Sequence, residues 1–536
     1  GKVPIARGEE NINRGHESTF KGLVEMMSTG NRDELLNRAS EVVARYMGLN
    51  FPRERWPDLE RGLLAAAPAL GFKDVDSCLE SLVSCVLTRQ QVEILASHLT
   101  IGETYFFRDE TSFRVFEEHI LTELINARRG KEQYLRIWSA GCCTGEEPYS
   151  IAILLDKMIP DLQDWNVTIL ATDINPNFLK KALDGIYGEW SFRVTPKSLR
   201  EKYFTRKEDG RYEVLPHIKK LVTFAYLNLA DDVYPSLMNN TNAIDVIFCR
   251  NVLMYFTPER ASSAIDSIFR SLVDGGWLLI SATETSLACS PRFAAVNFPG
   301  TTLYRKDDSR PASTEIPLHA QMDWERSPPQ LAADIAIPLM SEVDMTHRLP
   351  LEDVPIPSAT LAGAKSAEHQ MTPSEEALVL FRRGEYGEAI ERLANLLPPN
   401  QVSSADLSLL ARAHANLGRL TDAFESCKKA IAADRLNPAL YYLQATIQQE
   451  QGEMEAATAS LKQALYLDQD FVLAHFALGN LSRRRGKWKE SLKHYDNAAT
   501  LLKSYKQEEV LPDSEGLTAG RLSEIINCTL QVEETV

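Results

Sequence analysis

Four glycines, Gly384, Gly418, Gly452 and Gly486, stand 34 residues apart, and no other feature of the 536 residues constrains the fold as tightly. Ala389, Ala423 and Ala457 keep the same register, with Ser491 in the fourth place. Ala430, Ala464 and Ala498 share a second register; Ala377, Ala411, Ala445 and Gly479 share a third. Small residues where helices cross, and glycine at the turn between them, predict stacked helix pairs. One such pair cannot bury its apolar face alone, so each packs on the next as a solenoid. The array is expected over 373–505, with the first repeat the least typical. Over 506–536 a capping helix and tail are expected. Leu517, Leu522, Ile525 and Ile526 follow at helical spacing behind a cap at Asp513 or Ser514.

The first part of the chain has another texture. Residues 1–19 are expected as a disordered tail. Over 20–98 the pattern is helical: in ELLNRASEVVARYMGL, Leu35, Leu36, Ala39, Val42, Val43 and Tyr46 recur near a spacing of 3.6. A small helical domain follows from this run and from LERGLLAAAPAL and SCLESLVSCVL. From Tyr134 to Lys306, short apolar runs (YLRIWSA, VTILATD, AIDVIFCR, WLLIS) alternate with helical segments. That alternation predicts a mostly parallel sheet covered on both faces, within a domain over 99–307. Over 308–372, eight prolines from Pro311 to Pro357 interrupt every candidate helix but a short one near LAADIAIPLM, and a linker is expected.

Composition narrows the function classes. The chain is 44% hydrophobic and 25% charged, a globular mixture. A net charge of −16 repels phosphate backbones and disfavours general nucleic-acid binding. No two of the eight cysteines have C-x-x-C spacing, so no metal site is expected. The first residues, GKVPIARGEENINRGHES, lack a signal peptide's apolar stretch, and no apolar run reaches membrane-spanning length. A cytoplasmic location is expected, without membrane insertion.

The chemistry concentrates in LRIWSAGCCTGEEPYS, residues 135–150. An apolar strand runs into Gly141–Gly145, then into a helix with Pro148 in its first turn. This is the first strand–turn–helix of a doubly wound sheet, where nucleotide-like ligands bind at strand C-termini. Neither glycine-rich phosphate pattern is present. Glu146 and Glu147 follow instead; they oppose a pyrophosphate and suit a cationic ligand such as S-adenosylmethionine. They fit ordinary first-turn acids equally well. The next strand, VTILATDINP, ends in Asp173, placed to accept hydrogen bonds from ribose hydroxyls.

Taken in order, LTIGETYFFRD (99–109), WSAGCCTGEEPYSIA (138–152), ATDINPNFLKKALDGIY (171–187), NLA (228–230), DVIFCRNVLMYF (245–256) and GGWLLISATET (275–285) resemble the chemotaxis-receptor glutamate methyltransferase family, CheR. A branch of that family carries tetratricopeptide repeats, whose period matches the 34 residues here; Leu407, Tyr441 and His475 stand where tryptophan is common. The resemblance implies an α/β fold: a helical N-terminal domain, a Rossmann-like S-adenosylmethionine-dependent methyltransferase domain with a small antiparallel β insertion at about 203–226, and an all-α tetratricopeptide solenoid. It implies roles as well. Thr104 and Arg108 reach the cofactor; Gly141 with Glu146 or Glu147 forms the methionine-end site. Asp173 takes the ribose, Asn228 and Leu229 the adenine. Arg250, Asn251 and Tyr255 rim the reacting centre, with Arg108 and Tyr255 expected as catalytic residues. Taken singly, each has a plainer reading: Arg108 a structural ion pair, Asn228 an Asx turn, Tyr255 core.

The implied activity is methyl-ester formation on glutamates of a chemoreceptor cytoplasmic domain, leaving S-adenosylhomocysteine. A glutamate is already ionised at neutral pH, so alignment and desolvation are expected to lower the barrier without a general base. Asp209-Gly210 predicts a hairpin within the insertion. Its loop looks short beside family members that grip a receptor-tethering peptide, so that tether is expected to be absent. Arg53, Arg55 and Arg61 offer a docking face for an acidic helix bundle, although Asp58 and Glu60 lie among them. The repeats are expected to hold a further protein or peptide in their groove. Two alternatives stand beside this reading: a scaffold that binds S-adenosylmethionine without turnover, and methylation of another substrate.

Overall fold

The computed structural model describes residues 32–285, 293–307, 372–394 and 403–526, except positions 132, 232, 238, 508, 515, 516, 521 and 524. The expected tail, all but the last residue of the expected linker, and 527–536 lie outside the described residues.

Helices over 32–47, Trp56–Ala66, Val75–Ser84 and Arg89–Leu99 form the N-terminal part. Their starts are written in the sequence. Asp74 accepts a hydrogen bond from the Ser77 amide, and Thr88 with Gln91 closes a capping box. Leu36, Ala39, Val43, Leu59, Leu63 and Leu95 are buried and share one core with Leu253, Phe256 and Ile265 of the α/β part. The helices are therefore fused to the sheet.

Ten strands follow: β1 (Tyr134–Ala140), β2 (Asn166–Asp173), β3 (Ile186–Tyr187), β4 (Phe204–Arg206), β5 (Tyr212–Val214), β6 (Val222–Tyr226), β7 (Ile244–Phe248), β8 (Leu272–Leu279), β9 (Phe293–Phe298) and β10 (Thr301–Lys306). Seven make one sheet in the order β6-β2-β1-β7-β8-β10-β9. β1 pairs in parallel with both β2 and β7, and β8 runs parallel to β7. The chain winds outward from β1 to β6, then returns to β7 at the other side of β1. That reversal opens a crevice at the C-terminal ends of β1 and β7.

Three details differ from the sequence expectation. The small antiparallel sheet is β3-β5-β4, so it begins at Ile186, before the expected 203–226. Val222–Tyr226 is not part of it; as β6 it pairs in parallel with β2 at the edge of the large sheet. The pattern VTFAY suits either sheet, and only the tertiary partner decides. The β9–β10 hairpin, turning at Gly300, was not anticipated; Gly300 has φ 86°.

Eight helices, Pro373–Arg382, Tyr386–Ala394, Ser404–Asn416, Leu420–Ala433, Pro438–Glu450, Met454–Leu467, Val472–Arg484 and Trp488–Leu502, form four antiparallel pairs. The periodic glycines hold the turns, with φ between 71° and 79°, a region that L side chains rarely adopt. Ala389, Ala423, Ala457 and Ser491 are fully buried where helices cross.

The array is docked on the α/β part. Arg136 of β1 and Glu450 form a buried ion pair. Arg136 also donates to the carbonyls of Asn240 and Asn242. Asn166, at the start of β2, donates to the Glu450 carbonyl at 2.8 Å. Leu237, on the β6–β7 connection, packs among Ala411, Ala415, Leu443 and Ile447 of repeats two and three. Asn166 opens β2, Asn242 lies two residues before β7 and Arg136 is the third residue of β1, so the array sits at the end of the sheet opposite the crevice.

Removing one partner of a buried ion pair leaves the other charged and unsolvated. Glu450→Ala is expected to weaken this interface by about 3 kcal/mol. Differential scanning calorimetry should then show the array and the α/β part melting apart; a single unchanged transition would disprove the coupling.

Candidate active site

The turn after β1 is strapped to β2. The Gly141 and Cys142 amides donate to the Thr172 carbonyl at 2.8 and 2.9 Å, and the Cys143 amide donates to Asp173 Oδ2 at 2.8 Å. Gly141 and Gly145 have φ of 76° and 94°. A Cβ on Gly141 would lie 2.4 Å from Val252 Cγ2, so the glycine admits the loop that follows β7.

Around this turn lies an open cleft. It is lined by Thr104, Arg108, Gly141, Glu147, Asp173, Asn228, Leu229, Arg250, Asn251 and Tyr255, all expected from the sequence. Glu146 is the exception. The helix Glu146–Met158 turns it inward, 1% exposed, where it accepts from Thr144 Oγ1 and Ser191 Oγ. Of the two neighbouring acids, Glu147 lines the cleft and Glu146 holds the turn from behind.

The segment after Leu99 carries Thr104 and Arg108 over the cleft. Phe106 anchors it, fully buried and stacked on Phe192 at 4.9 Å. The Phe107 amide donates to Ser150 Oγ. Arg108 Nη1 donates to the Glu103 carbonyl at 2.6 Å, and its guanidinium lies near the Tyr105 ring.

Deeper in, Arg250 lies between two acids, 3.3 Å from Glu147 Oε2 and 3.2 Å from Asp109 Oδ2. Its Nε is buried without a partner. Burial pushes the Glu147 carboxyl up, and the charge of Arg250 opposes that shift. Ser139 Oγ donates to its other oxygen at 2.7 Å. Burial likewise pushes Asp173 up to about 6, against the amides of Asn175 and Cys143 that favour its charged form. Burial pushes the Cys143 thiol up to about 12, so it is no nucleophile at neutral pH.

Asn228 makes the Asx turn that was its plainer reading, accepting from the Ala230 amide at 3.1 Å, and it also donates to the Tyr46 carbonyl. It lines the cleft and joins the helical part to the sheet. Tyr255 does two things as well. It lines the cleft and packs against the core, while its carbonyl accepts from the Asn50 amide at 2.7 Å. The docking arginines are largely neutralised: Arg53 pairs with Asp33, and Arg55 and Arg61 pair with Asp58. Arg55 nevertheless reaches the cleft.

Sequence reasoning missed the wall contributed by Met47, Leu49, Asn50, Phe51 and, from another helix, Phe178. The one local signal was Gly48, whose φ of 75° turns the chain under Phe256. No group of His, Cys, Asp or Glu among the described residues could hold a metal ion.

The lining residues fit a nucleoside carrying a positive charge. A glycine turn admits its backbone-side edge, Asp173 offers a carboxylate at the end of the second strand, and Leu229 supplies apolar surface. Glu147 brings a carboxylate beside Arg250 into the cleft, and no lysine lines the cleft among the described residues. Fold and site together define an S-adenosylmethionine-dependent methyltransferase. Residues 102–299 match the family model described as CheR methyltransferase, SAM binding domain. The chain is 34% identical over 217 residues to Chemotaxis protein methyltransferase 2 of Vibrio cholerae, a match covering 40% of this chain and 74% of that one. It is 33% identical over 256 residues to Chemotaxis protein methyltransferase of Borreliella burgdorferi, covering 47% and 88%. The chain belongs to the CheR methyltransferase family. Residues 374–438, 438–471 and 474–509 match tetratricopeptide repeat models. Among solved structures, MamA 41-end from Desulfovibrio magneticus RS-1 covers 25% of this chain and 75% of its own, at 19% identity and a TM-score of 0.23, which carries no weight for function.

If Asp173 takes the ribose as expected, its ionised carboxylate accepts the hydroxyls more strongly than the protonated form does. Asp173 is raised to about 6, so cofactor affinity is expected to hold above that pH and to fall as the pH drops through it. Calorimetric titration between pH 5 and 8 reads this. Asp173→Asn should weaken binding at pH 8 by roughly tenfold and flatten the profile. Unchanged affinity would remove Asp173 from the site.

Proposed function

We propose that this enzyme methylates glutamate side chains of a chemoreceptor cytoplasmic domain, forming methyl esters. Membership of the family supports S-adenosylmethionine-dependent methylation in chemotaxis. The glutamate acceptor is favoured by one observation: the described cleft lining holds no histidine or lysine, its two buried carboxylates are engaged, and its remaining carboxylate, Glu103, is largely exposed beside Arg193. Glu147 is tied to Ser139 and Arg250, and Asp173 to two amides. An amine or hydroxyl acceptor would have to lose a proton, whereas a glutamate arrives ionised.

S-adenosylmethionine, held by Gly141, Glu147 and Asp173, would supply a methyl group on a positively charged sulfur that leaves with the electron pair of the carbon–sulfur bond. The protein's own residues align and desolvate. Arg108, half-buried at the mouth, offers N–H groups to a carboxylate. Glu147, beside Arg250, holds negative charge against the cationic end of the cofactor. Tyr255 faces the same space from the loop after β7. Closing the acceptor off from water strengthens its attraction to the sulfonium.

The array is proposed to engage a further protein. Leu237 already occupies the surface between the first helices of repeats two and three, so that partner would use the remaining faces. No helix among the described residues is long and apolar enough to cross a membrane, and a cytoplasmic location is proposed with the receptor substrate.

The test supplies methyl-labelled S-adenosylmethionine and a panel of receptor cytoplasmic domains from the same organism. Base-labile label released as methanol is expected on one receptor, and lost when its glutamates are changed to alanine. Arg108→Ala should slow transfer on the order of a hundredfold while leaving the fold intact. Label that survives base treatment, or normal turnover in Arg108→Ala, contradicts the assignment.

A further inference from the structure

Glu284 is fully buried, does not line the cleft, and belongs to a short turn after β8, Ala282–Glu284. Its carboxylate nevertheless collects the loop that does line the cleft. Oε2 accepts from the Asn251 amide at 2.8 Å, and Oε1 accepts from the Val252 and Met254 amides at 2.8 and 3.2 Å. The Ser281 amide and hydroxyl complete the set on Oε2, at 3.0 and 2.5 Å. Hydrogen bonds to an ionised acceptor are stronger than neutral ones, and burial strengthens them further.

The loop needs such a clamp. Asn251 has φ 57°, a conformation that costs free energy for a residue with a side chain. Val252 sits against Gly141 of the cofactor turn. The preceding Arg250 spans Glu147 and Asp109, and Tyr255 closes the loop with its amide on the Val252 carbonyl. One carboxylate thus sets the backbone from which Arg250, Asn251 and Tyr255 reach the reacting centre. We infer that Glu284 is a positioning residue for methyl transfer, fixing the post-β7 loop against the methionine end of the cofactor site. This rests on the methyl-transfer reading given above.

Glu284→Gln keeps the volume but offers one acceptor oxygen, and turns an NH2 group toward amides that donate. Hydrogen–deuterium exchange over 249–257 is expected to rise at least tenfold, with exchange in β1 and β2 unchanged. On a receptor methylated by the wild-type enzyme, kcat should fall at least tenfold, while the Kd for S-adenosylhomocysteine changes less than threefold. A residue that merely holds the fold would shift both together, or neither. If Glu284→Gln does not fold, Glu284→Asp keeps the charge on a shorter arm and should show the same split, smaller in size. Unchanged exchange over 249–257, or kcat within twofold of wild type, overturns the inference. If the wild-type enzyme labels no receptor, the substrate reading fails, and the exchange measurement alone decides for or against Glu284.

Discussion

The hydrogen bonds from Gly141, Cys142 and Cys143 to the end of β2 are the constraint on which the site depends. They close the turn after β1 onto the neighbouring strand, so that the turn, Asp173 and the start of the next helix become one rigid corner. Because β7 returns beside β1, the loop that follows it lies over that same corner. A glycine with φ of 76° and no side chain is what lets the two loops touch.

Burial sets the electrostatics of that corner more than charge count does. The cleft mixes three arginines with acids, yet its two deepest carboxylates sit above their ordinary range because water is kept from them. Glu147 is held by Arg250 and Ser139, Asp173 by backbone amides. The chain's overall charge of −16 says little about this local balance.

Features written in local spacing were legible in the sequence. The 34-residue register gave the helix pairs and their turns, and the strand–turn–helix at 135–150 gave the cofactor corner. What depended on distant partners was not. Glu146 and Glu147 are neighbours on one helical turn, and only Ser191 and Thr144 reveal which of them faces away. Val222–Tyr226 reads as a strand in either sheet. The N-terminal wall reaches the cleft because Asn50 meets Tyr255 across more than two hundred residues of chain. Glu284 stands in a serine–threonine-rich turn that says nothing of the loop it collects. The Arg136–Glu450 pair joins residues that no local pattern connects.

That pair has a geometric corollary. A repeat array on a slack tether could swing its cargo to the mouth of the cleft. This one is seated at the foot of the strands. Along β2 the seat contact Asn166 and the corner residue Asp173 stand at opposite ends of eight residues, so about 23 Å of sheet separates them. Whatever the array grips is held at a fixed bearing behind the catalytic face. A molecule bound there cannot offer its own side chain for methylation unless it wraps round the domain. On the function proposed above, such an array acts as a mount for the enzyme, and the chain to be methylated meets the other side.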